Sequence, residues 1–416
     1  MLNYGKHWLD NDDIAAMAAV LKSDFLTQGP QVGLFEQAIA AYVGCQYAVA
    51  VSSGTAALHI AVAALKQERL PTGSMPPFSG ITAPNTFVAS ANCLCYNGLE
   101  PDFADIDPLN YSIDPLAIKK RLTPRTRIII PVHFAGQACD MEAISRLKEN
   151  PGAGFGPLYI IEDASHAIGS RYANGKPVGS CCYSDMTVFS FHPVKTIATG
   201  EGGLITTNDK DLYERLLLLR SHGITKDHAK LKYHHTSFAP LDPVFADDVA
   251  PAAPWYYEMQ ALGFNYRMTD IQAALGTSQM KKIAGFVTRR RQIVDMYNLA
   301  FKSLNGVTIP YEKPGLYSAF HLYVLKFDFA YLCKSRPQVM KELLQQGIGT
   351  QVHYIPVHLQ PFYRENFSFT PGDFPHAEAY YQQCLSIPLY PKMTDAEVEQ
   401  VITAIVALTE PKHGNK

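Results

Sequence analysis

The spacing of hydrophobic residues predicts helices at the N-terminal end of the chain. "DNDDIAAMAAVLKSD" carries apolar residues at helical spacing behind a cap at Asp10 or Asn11. "LFEQAIAAYVG" repeats this spacing and stops at Gly44, a residue type that commonly ends helices. The next stretch, "YAVAVSSGTAALHIAVAAL", predicts a short buried strand, a polar turn and a third helix.

Further strands follow, several of them as continuous rather than alternating apolar runs. Strands covered by helices on both faces have this pattern, whereas a strand with one solvent-exposed face alternates apolar and polar residues. Helical stretches such as 140–150 separate them. We therefore predict an α/β fold with a largely parallel sheet. The predicted strands span 127–134, 158–166, 186–192 and 202–209.

The pattern changes toward the C-terminus, where a second, smaller α+β unit is predicted. An irregular segment rich in His, Pro, Asp and Tyr covers 224–262 and is longer than an ordinary loop. A helix-rich stretch (269–304) precedes a strand at 319–328, and "SRPQVMKELLQQG" and "TDAEVEQVITAIVALTE" predict later helices. We place a large domain at 1–290 and a small domain at 291–416.

Composition and charge exclude several classes of protein. Of 416 residues, 47% are hydrophobic and 18% are charged, which suits a large folded core rather than a disordered chain. A net charge of −2 gives no positive electrostatic field that would attract nucleic acid. The basic stretch "VTRRRQ" (287–292) is predicted to be a solvated helix face. The sequence lacks a signal-peptide pattern, and its apolar runs fall short of the roughly 20 residues of a membrane span. A cytoplasmic protein without a membrane partner is expected.

The eight cysteines indicate a reduced protein. None of them forms a CxxC pair. We expect buried free thiols, with neither a disulfide framework nor a metal site.

Small and hydroxyl residues follow the first buried strand in "SSGTAALH" (52–59). The start of the following helix presents free N–H groups and a partial positive charge. Gly54 lets the backbone approach a ligand and Thr55 adds a hydroxyl, so the site suits a phosphate group. The alternative is an ordinary helix cap.

Two adjacent carboxylates, Glu162 and Asp163, end the strand in "IIEDASH". The carboxyl edge of a parallel sheet is where α/β proteins bind ligands, and strand alternation sends one side chain to each face. A buried carboxylate needs a cationic partner. A protonated pyridine ring is one candidate partner, and a structural arginine is the alternative.

One lysine, Lys195, lies in the glycine-rich stretch "SFHPVKTIATGEGG" (190–203). A lysine amine forms a Schiff base with a carbonyl group once its pKa is lowered. Ser190 is placed to donate a hydrogen bond to a phosphate, and the glycines are expected to leave room for a flat ring. A solvated lysine is the alternative, but the combination of phosphate site, strand-end acid and lysine favours the Schiff base.

In this chain order, the motifs resemble the pyridoxal 5′-phosphate (PLP)-dependent sugar aminotransferases of the DegT/DnrJ/EryC1/StrS family. The resemblance spans nearly the whole chain and includes "SDFLTQGP", "TFVASAN", "IIPVHFAGQACDM" and "FNYRMTDIQAALG". It implies the fold-type I architecture, with a mostly parallel seven-stranded sheet in a large domain and a smaller C-terminal α+β domain. "FSFHPVKTI" and "QVHYIPVHLQPFY" look most like the enzymes of pseudaminic acid synthesis.

The resemblance also implies roles for residues around the cofactor ring. Lys195 would hold the PLP aldehyde and later shuttle the proton between cofactor and substrate carbons. Asp163 would pair with the pyridine nitrogen and keep the ring protonated. Phe87 would stack on the ring face, and His166 would lie beside the ring hydroxyl.

The cofactor phosphate would be held by residues from two subunits. Gly54, Thr55, Ala56 and Ser190 would bind it within one chain. Asn265 of "FNYR" would reach it from the neighbouring subunit, which implies a homodimer with shared active sites.

The resemblance implies a sugar-nucleotide substrate and L-glutamate as the amino donor. The acceptor would be the C4 ketone of a UDP-linked 4-keto-6-deoxy-N-acetylhexosamine, with a GDP- or dTDP-linked keto sugar as the alternative. The pocket would be lined by Tyr4, Phe25, Leu26, Thr27, Gln351, Val352, His353 and Tyr354.

Two departures from the family pattern bear on the sugar rather than on the reaction. The segment 68–85 differs from the usual family sequence, and 224–262 is long for the family. A dehydratase of the same family would carry histidine in place of Lys195, which argues against that rival. A non-catalytic sensor is a further alternative, and the intact set of Asp163, Ser190 and Lys195 argues against it.

Overall fold

A computed structural model describes residues 1–71, 77–149, 156–232 and 255–409. Within these ranges the central feature is a seven-stranded sheet in the order β1-β7-β6-β5-β4-β2-β3. Its strands are β1 (Tyr47–Val51), β2 (Ser79–Thr82), β3 (Glu100–Phe103), β4 (Thr126–Ile130), β5 (Tyr159–Asp163), β6 (Met186–Ser190) and β7 (Gly203–Thr207).

The sheet is mostly parallel, as predicted. In the described part of the chain, β7 alone runs against the others and lies between β1 and β6. Its register places Gly203 directly between Val51 of β1 and Ser190 of β6. The carboxyl ends of β1 and β6 therefore meet at the start of β7.

Helices cover both faces of the sheet, which explains the continuous apolar runs. Side chains at Val49 and Val51 pack in one core, against α3 and α7, whereas Ala48 and Ala50 point into the core on the opposite face. The helices up to this point are α1 (Asn11–Leu21), α2 (Pro30–Val43), α3 (Gly54–Arg69), α4 (Ala89–Tyr96), α5 (Pro115–Arg121), α6 (Met141–Glu149) and α7 (Lys210–Arg220).

The predicted helix ends at the N-terminus are confirmed. Asp10 caps α1 by accepting hydrogen bonds from the Asp12 and Asp13 N–H groups, and the Asp13 carboxylate reaches back to the Asp10 N–H. Gly44 ends α2 with a positive φ of 74°, in the left-handed region where a side chain is disfavoured.

The C-terminal part builds a second sheet and its own core. The strands β10 (Val307–Thr308), β11 (Tyr323–Phe327) and β12 (Cys384–Ile387) pair antiparallel. The helices here are α8 (Asp270–Met280), α9 (Ile283–Phe301), α10 (Arg336–Gln345), α11 (Pro361–Phe367), α12 (Pro375–Gln383) and α13 (Asp395–Thr409). Helix α9 runs through residue 290 without a break, and the division into domains at that point stays a prediction.

Several sequence expectations need correction. Strands β2 and β3 and helix α4 were absent from the sequence prediction, because short elements give too few residues to show a period. Arg290 is not on a solvated face: it is fully buried, and its Nη1 donates to the carbonyls of Phe320, His321 and Leu389. All eight cysteines are free thiols, but only four are buried: Cys333 is exposed, and Cys45, Cys95 and Cys182 are half-buried.

The long segment 224–262 is only partly described. Its two ends pair as a short antiparallel ribbon of β8 (Ile224–Thr225) and β9 (Glu258–Met259), and residues 233–254 lie outside the described ranges. Residues 72–76 of the departure at 68–85 also lie outside them. Of the helices that are described, none is long and apolar enough to cross a membrane.

Candidate active site

A cavity of about 570 Å³ opens where the carboxyl ends of β1, β5 and β6 meet. This is the edge at which α/β sheets bind ligands. The structure brings most of the predicted cofactor and substrate residues together in its wall. They are Tyr4, Gly54, Thr55, Phe87, Asp163, His166, Ser190, Lys195, Gln351, Val352, His353 and Tyr354.

The predicted phosphate site lies at the N-terminus of α3. Ser53 caps the helix by accepting a hydrogen bond from the Ala56 N–H at 3.1 Å. Gly54 and Thr55 occupy the first turn, where N–H groups have no intrahelical acceptor. A Cβ on Gly54 would lie 2.8 Å from Ser190 Cβ and 3.1 Å from Ser190 Oγ. Glycine is thus required for the helix end and the Ser190 hydroxyl to come together.

Two of the three glycines that follow Lys195, Gly202 and Gly203, make room for the chain rather than for a ring. A Cβ on Gly203 would lie 2.2 Å from the Ser53 carbonyl oxygen, so the absence of a side chain lets β7 pack against the start of α3. A Cβ on Gly202 would lie 2.6 Å from Met268 Cε. The expectation that these glycines leave space for a flat ring is therefore wrong for both positions.

Adjacent carboxylates at the end of β5 point to opposite faces, as strand alternation predicts. Asp163 lines the cavity and accepts hydrogen bonds from Ser90 Oγ at 2.6 Å and from the Ser165 N–H at 3.1 Å. Glu162 is fully buried behind the sheet edge, where it pairs with His133 Nε2 at 2.7 Å and accepts a hydrogen bond from the Tyr172 hydroxyl at 2.6 Å. The structural partner of Glu162 is a histidine and not the arginine considered from the sequence.

Lys195 lies in the turn after β6, with its side chain half-buried in the cavity wall. The backbone N–H of Lys195 donates to the His192 carbonyl at 2.8 Å, which fixes the backbone of the turn. Burial lowers the pKa of the Lys195 ammonium to about 8, and the opposing charge of Asp163 limits that fall. A substantial neutral fraction is therefore available near physiological pH for attack on a carbonyl group.

His166 has a tautomer set by its neighbours. The backbone N–H of Ala135 donates to Nδ1 at 3.3 Å, so this nitrogen carries no proton. Burial holds the pKa of the imidazole well below its usual value, and the positive charge of Lys195 lowers it further. The neutral ring then carries its proton on Nε2, which donates to the Tyr354 hydroxyl at 3.2 Å. The Tyr354 O–H proton is left to donate elsewhere.

The remaining wall of the cavity combines the N-terminal segment with residues 351–354. The rings of Tyr4 and His353 lie with their centroids 5.0 Å apart. His353 Nδ1 bonds the Ser386 hydroxyl at 2.8 Å, and burial lowers the pKa of His353 to about 3. This wall therefore presents neutral polar groups and aromatic edges, which suit an uncharged ligand such as a sugar ring.

Five predicted residues do not line the cavity. The Ala56 side chain is buried in α3, and its N–H is occupied by Ser53. Phe25 and Leu26 are exposed, and Thr27 pairs with Thr269 at the surface. Asn265 is exposed, and its backbone forms an isolated antiparallel β-bridge with Ser221.

The structure adds residues that the sequence reasoning missed. Thr86, His192 and Glu201 line the cavity, and Ser90 contacts Asp163 from helix α4. His321 packs against His166, with ring centroids 4.4 Å apart. The stretch "TFVAS" carries two of these hydroxyls, and their four-residue spacing at the start of a helix was a signal that they lie close together.

Comparisons with known proteins agree with this geometry. A family model described as the DegT/DnrJ/EryC1/StrS aminotransferase family matches residues 8–406. The spore coat polysaccharide biosynthesis protein SpsC of Bacillus subtilis is 38% identical over 405 residues, which cover 97% of this chain and 96% of SpsC. An uncharacterized protein of Methanocaldococcus jannaschii is 38% identical over 397 residues, or 95% of each chain.

Solved structures with the same fold include several sugar aminotransferases. Helicobacter pylori PseC, an aminotransferase involved in the biosynthesis of pseudoaminic acid, matches with a TM-score of 0.84 and 31% identity, covering 98% of this chain and 99% of PseC. The putative sugar aminotransferase Spr1654 from Streptococcus pneumoniae matches in its PMP form with a TM-score of 0.85 and 26% identity, covering 98% and 99% of the two chains. Its PLP form matches with a TM-score of 0.83 and 26% identity, over 97% of each chain.

Proposed function

The chain belongs to the DegT/DnrJ/EryC1/StrS aminotransferase family, and on that premise we propose that it transfers an amino group from L-glutamate to a UDP-linked keto sugar. It is a fold-type I sugar aminotransferase with PLP as its cofactor. The proposed acceptor is the C4 ketone of UDP-2-acetamido-2,6-dideoxy-β-L-arabino-hex-4-ulose, and the product is an intermediate of pseudaminic acid synthesis.

The residues of the cavity fit PLP. A helix N-terminus flanked by the Thr55 and Ser190 hydroxyls suits a phosphate dianion, and a Cβ at Gly54 would close the gap between α3 and Ser190. A carboxylate (Asp163) and a lysine with a lowered pKa (Lys195) supply partners for a pyridine nitrogen and an aldehyde. When bound, PLP supplies the aldehyde that accepts the amino group and a protonated ring that draws electrons from the reacting carbon.

We assign the proton transfers to Lys195. In the first half-reaction its amine accepts the α-proton of glutamate, which leaves as 2-oxoglutarate without its amino group. In the second half-reaction the same amine returns a proton to C4 of the sugar as the ketone becomes an amine. The lowered pKa matches this double duty because both the neutral and the charged amine are populated near pH 8. Asp163 would hold the ring nitrogen, Phe87 would cover one ring face, and His166 would lie beside the ring hydroxyl.

The sugar nucleotide is assigned to the wall formed by Tyr4 and residues 351–354. Tyr354 is placed as a donor, because its oxygen already accepts the proton of His166 Nε2. Phe25, Leu26 and Thr27, together with Asn265, lie outside this cavity. We propose that they act at a homodimer interface, where Asn265 completes the phosphate site of the partner and the segment 25–27 borders its sugar pocket.

The likeness to PseC, at 31% identity over nearly the full length of both chains, carries the choice of sugar. SpsC favours a second candidate, because it is 38% identical and its name places it in polysaccharide synthesis. That candidate is transamination of a GDP- or dTDP-linked keto sugar on the same residues.

The test follows the visible absorbance of the purified protein loaded with PLP. Adding glutamate should bleach the band of the lysine-bound cofactor, and the true acceptor should restore it. A panel of UDP-, GDP- and dTDP-linked keto sugars then separates the two candidates. Lys195→Ala should abolish the cycle, whereas Lys176→Ala, at an exposed lysine, should leave it intact. Normal turnover by Lys195→Ala would overturn the proposed mechanism.

A further inference from the structure

Two buried hydroxyls lie directly behind Asp163. Ser90 is in the first turn of α4 and is fully buried, and Thr86 lies four residues earlier with 2% of its surface exposed. Thr86 Oγ1 and Ser90 Oγ are 2.8 Å apart, and Ser90 Oγ is 2.6 Å from Asp163 Oδ2. The three side chains form a continuous line of hydrogen bonds along the cavity wall, in which Thr86 and Asp163 line the cavity and Ser90 joins them from behind.

Counting protons fixes the direction of this line. An ionised carboxylate only accepts hydrogen bonds, so the single proton of the Ser90 hydroxyl is donated to Asp163. Ser90 Oγ must then accept from Thr86 Oγ1, although the distance alone allows either direction. The hydroxyl line therefore runs Thr86 to Ser90 to Asp163, with every proton directed toward the carboxylate.

The same turn also presents Phe87 to the cavity. The Ser90 N–H donates to the Phe87 carbonyl at 3.3 Å, so the segment 86–90 is one folded unit. On the other side of Asp163, the Ser165 N–H binds Oδ1 at 3.1 Å. Both carboxylate oxygens are thus held by the protein, and the side chain has one orientation toward the cavity.

We propose that Ser90 is a positioning residue for the ring-nitrogen partner of the cofactor, and that Thr86 orients Ser90. Without the Ser90 hydroxyl, Asp163 Oδ2 loses a short charge-assisted hydrogen bond in a buried site, and the carboxylate is free to rotate away from the pyridine nitrogen. The inference rests on the proposed pairing of Asp163 with that nitrogen. It is independent of which sugar is aminated.

The test compares PLP with an analogue that lacks the ring nitrogen. Ser90→Ala should weaken PLP binding by about tenfold, the loss expected for a hydrogen bond to a charged group. With 1-deazapyridoxal 5′-phosphate, in which C–H replaces the nitrogen, the same variant should bind within about twofold of the unaltered protein. Dissociation constants come from absorbance titrations of the apo-protein, without any need for turnover.

Three variants control the comparison. Thr86→Val keeps the Ser90 donor and the volume of a cavity-lining side chain but removes the hydroxyl that orients Ser90, so PLP binding should weaken by about threefold. Ser112→Ala removes a buried hydroxyl that has no partner within the described residues and should change nothing. If Ser90→Ala fails to fold, Ser90→Cys keeps the volume with a weaker donor, and the PLP-to-analogue comparison is made on that variant.

The outcomes separate the inference from the proposed role of Asp163. Equal losses with PLP and the analogue would show that Ser90 only supports the fold, and would overturn the inference. If Asp163→Ala weakens PLP binding and Ser90→Ala does not, the Ser90 inference fails and the role of Asp163 stands. If neither weakens it, both fail.

Discussion

Replacing Gly54 by alanine tests the phosphate site most sharply. The new Cβ would lie 2.8 Å from Ser190 Cβ, about 0.6 Å short of the 3.4 Å at which ordinary contact begins. Neither atom is at the end of a flexible side chain, because Ser190 Cβ is attached directly to β6. The start of α3 and the end of β6 must therefore move apart by a similar distance.

This displacement has opposing effects on the free energy of unfolding. Overpacking of this kind costs about 1–3 kcal/mol. Alanine in place of glycine near a helix start also stabilises the folded protein by up to about 1 kcal/mol, because it lowers the conformational entropy of the unfolded chain. We expect a net destabilisation of the apo-protein of about 1 kcal/mol, and a larger effect on the cofactor, because the helix N–H groups and the Ser190 hydroxyl no longer converge on one phosphate.

The assay measures PLP affinity by absorbance titration and unfolding of the apo-protein by urea. Affinity should fall about tenfold, equivalent to one charge-assisted hydrogen bond. Gly285→Ala in α9 is the matched control, because a Cβ there meets no atom within 4 Å. Unchanged PLP affinity in Gly54→Ala would refute the assignment of the phosphate to this helix end.

Three further predictions concern the proton transfers and the buried partners of the site. Burial lowers the pKa of Lys195 from 10.5 to about 8, and only the neutral amine attacks an aldehyde. The rate of PLP capture, measured by stopped-flow absorbance, should therefore rise with pH and level off above about pH 8. A rate that still rises at pH 10.5 would contradict this. Glu162→Gln should lower the free energy of unfolding, measured in urea, by about 3 kcal/mol, because it breaks the fully buried pair with His133. A loss below about 1 kcal/mol would count against that pairing. Tyr354→Phe should leave PLP affinity unchanged and slow amino transfer about tenfold, because it removes the hydroxyl proposed to donate to the sugar; an unaltered rate would remove Tyr354 from the reaction.

The sequence allowed the α/β fold to be predicted because its signals are local. A capped helix at Asp10, a helix end at Gly44 and apolar runs without alternation each have one physical cause. The clustering of Gly54, Asp163 and Lys195 was also predictable, since each lies at or within a few residues of the carboxyl end of a strand, and these ends face the same edge.

Contacts between distant parts of the chain were beyond local reasoning. Nothing near Gly203 in the sequence shows that the Ser53 backbone fills the space beside it, because the contact depends on β7 inserting between β1 and β6. The pairing of Glu162 with His133 spans two strands, and the burial of Arg290 depends on carbonyls from two other segments. Such contacts follow from strand order, which periodicity does not encode.

Lys195 is the residue proposed to bind the cofactor and to carry out the proton transfers of the reaction. The most direct measurement is to load the protein with PLP, reduce it with borohydride, and locate the added mass by peptide mapping. We expect one saturable adduct on Lys195 that is absent when glutamate is added before reduction. An adduct on another lysine, or labelling of Lys195 that glutamate does not prevent, would contradict it.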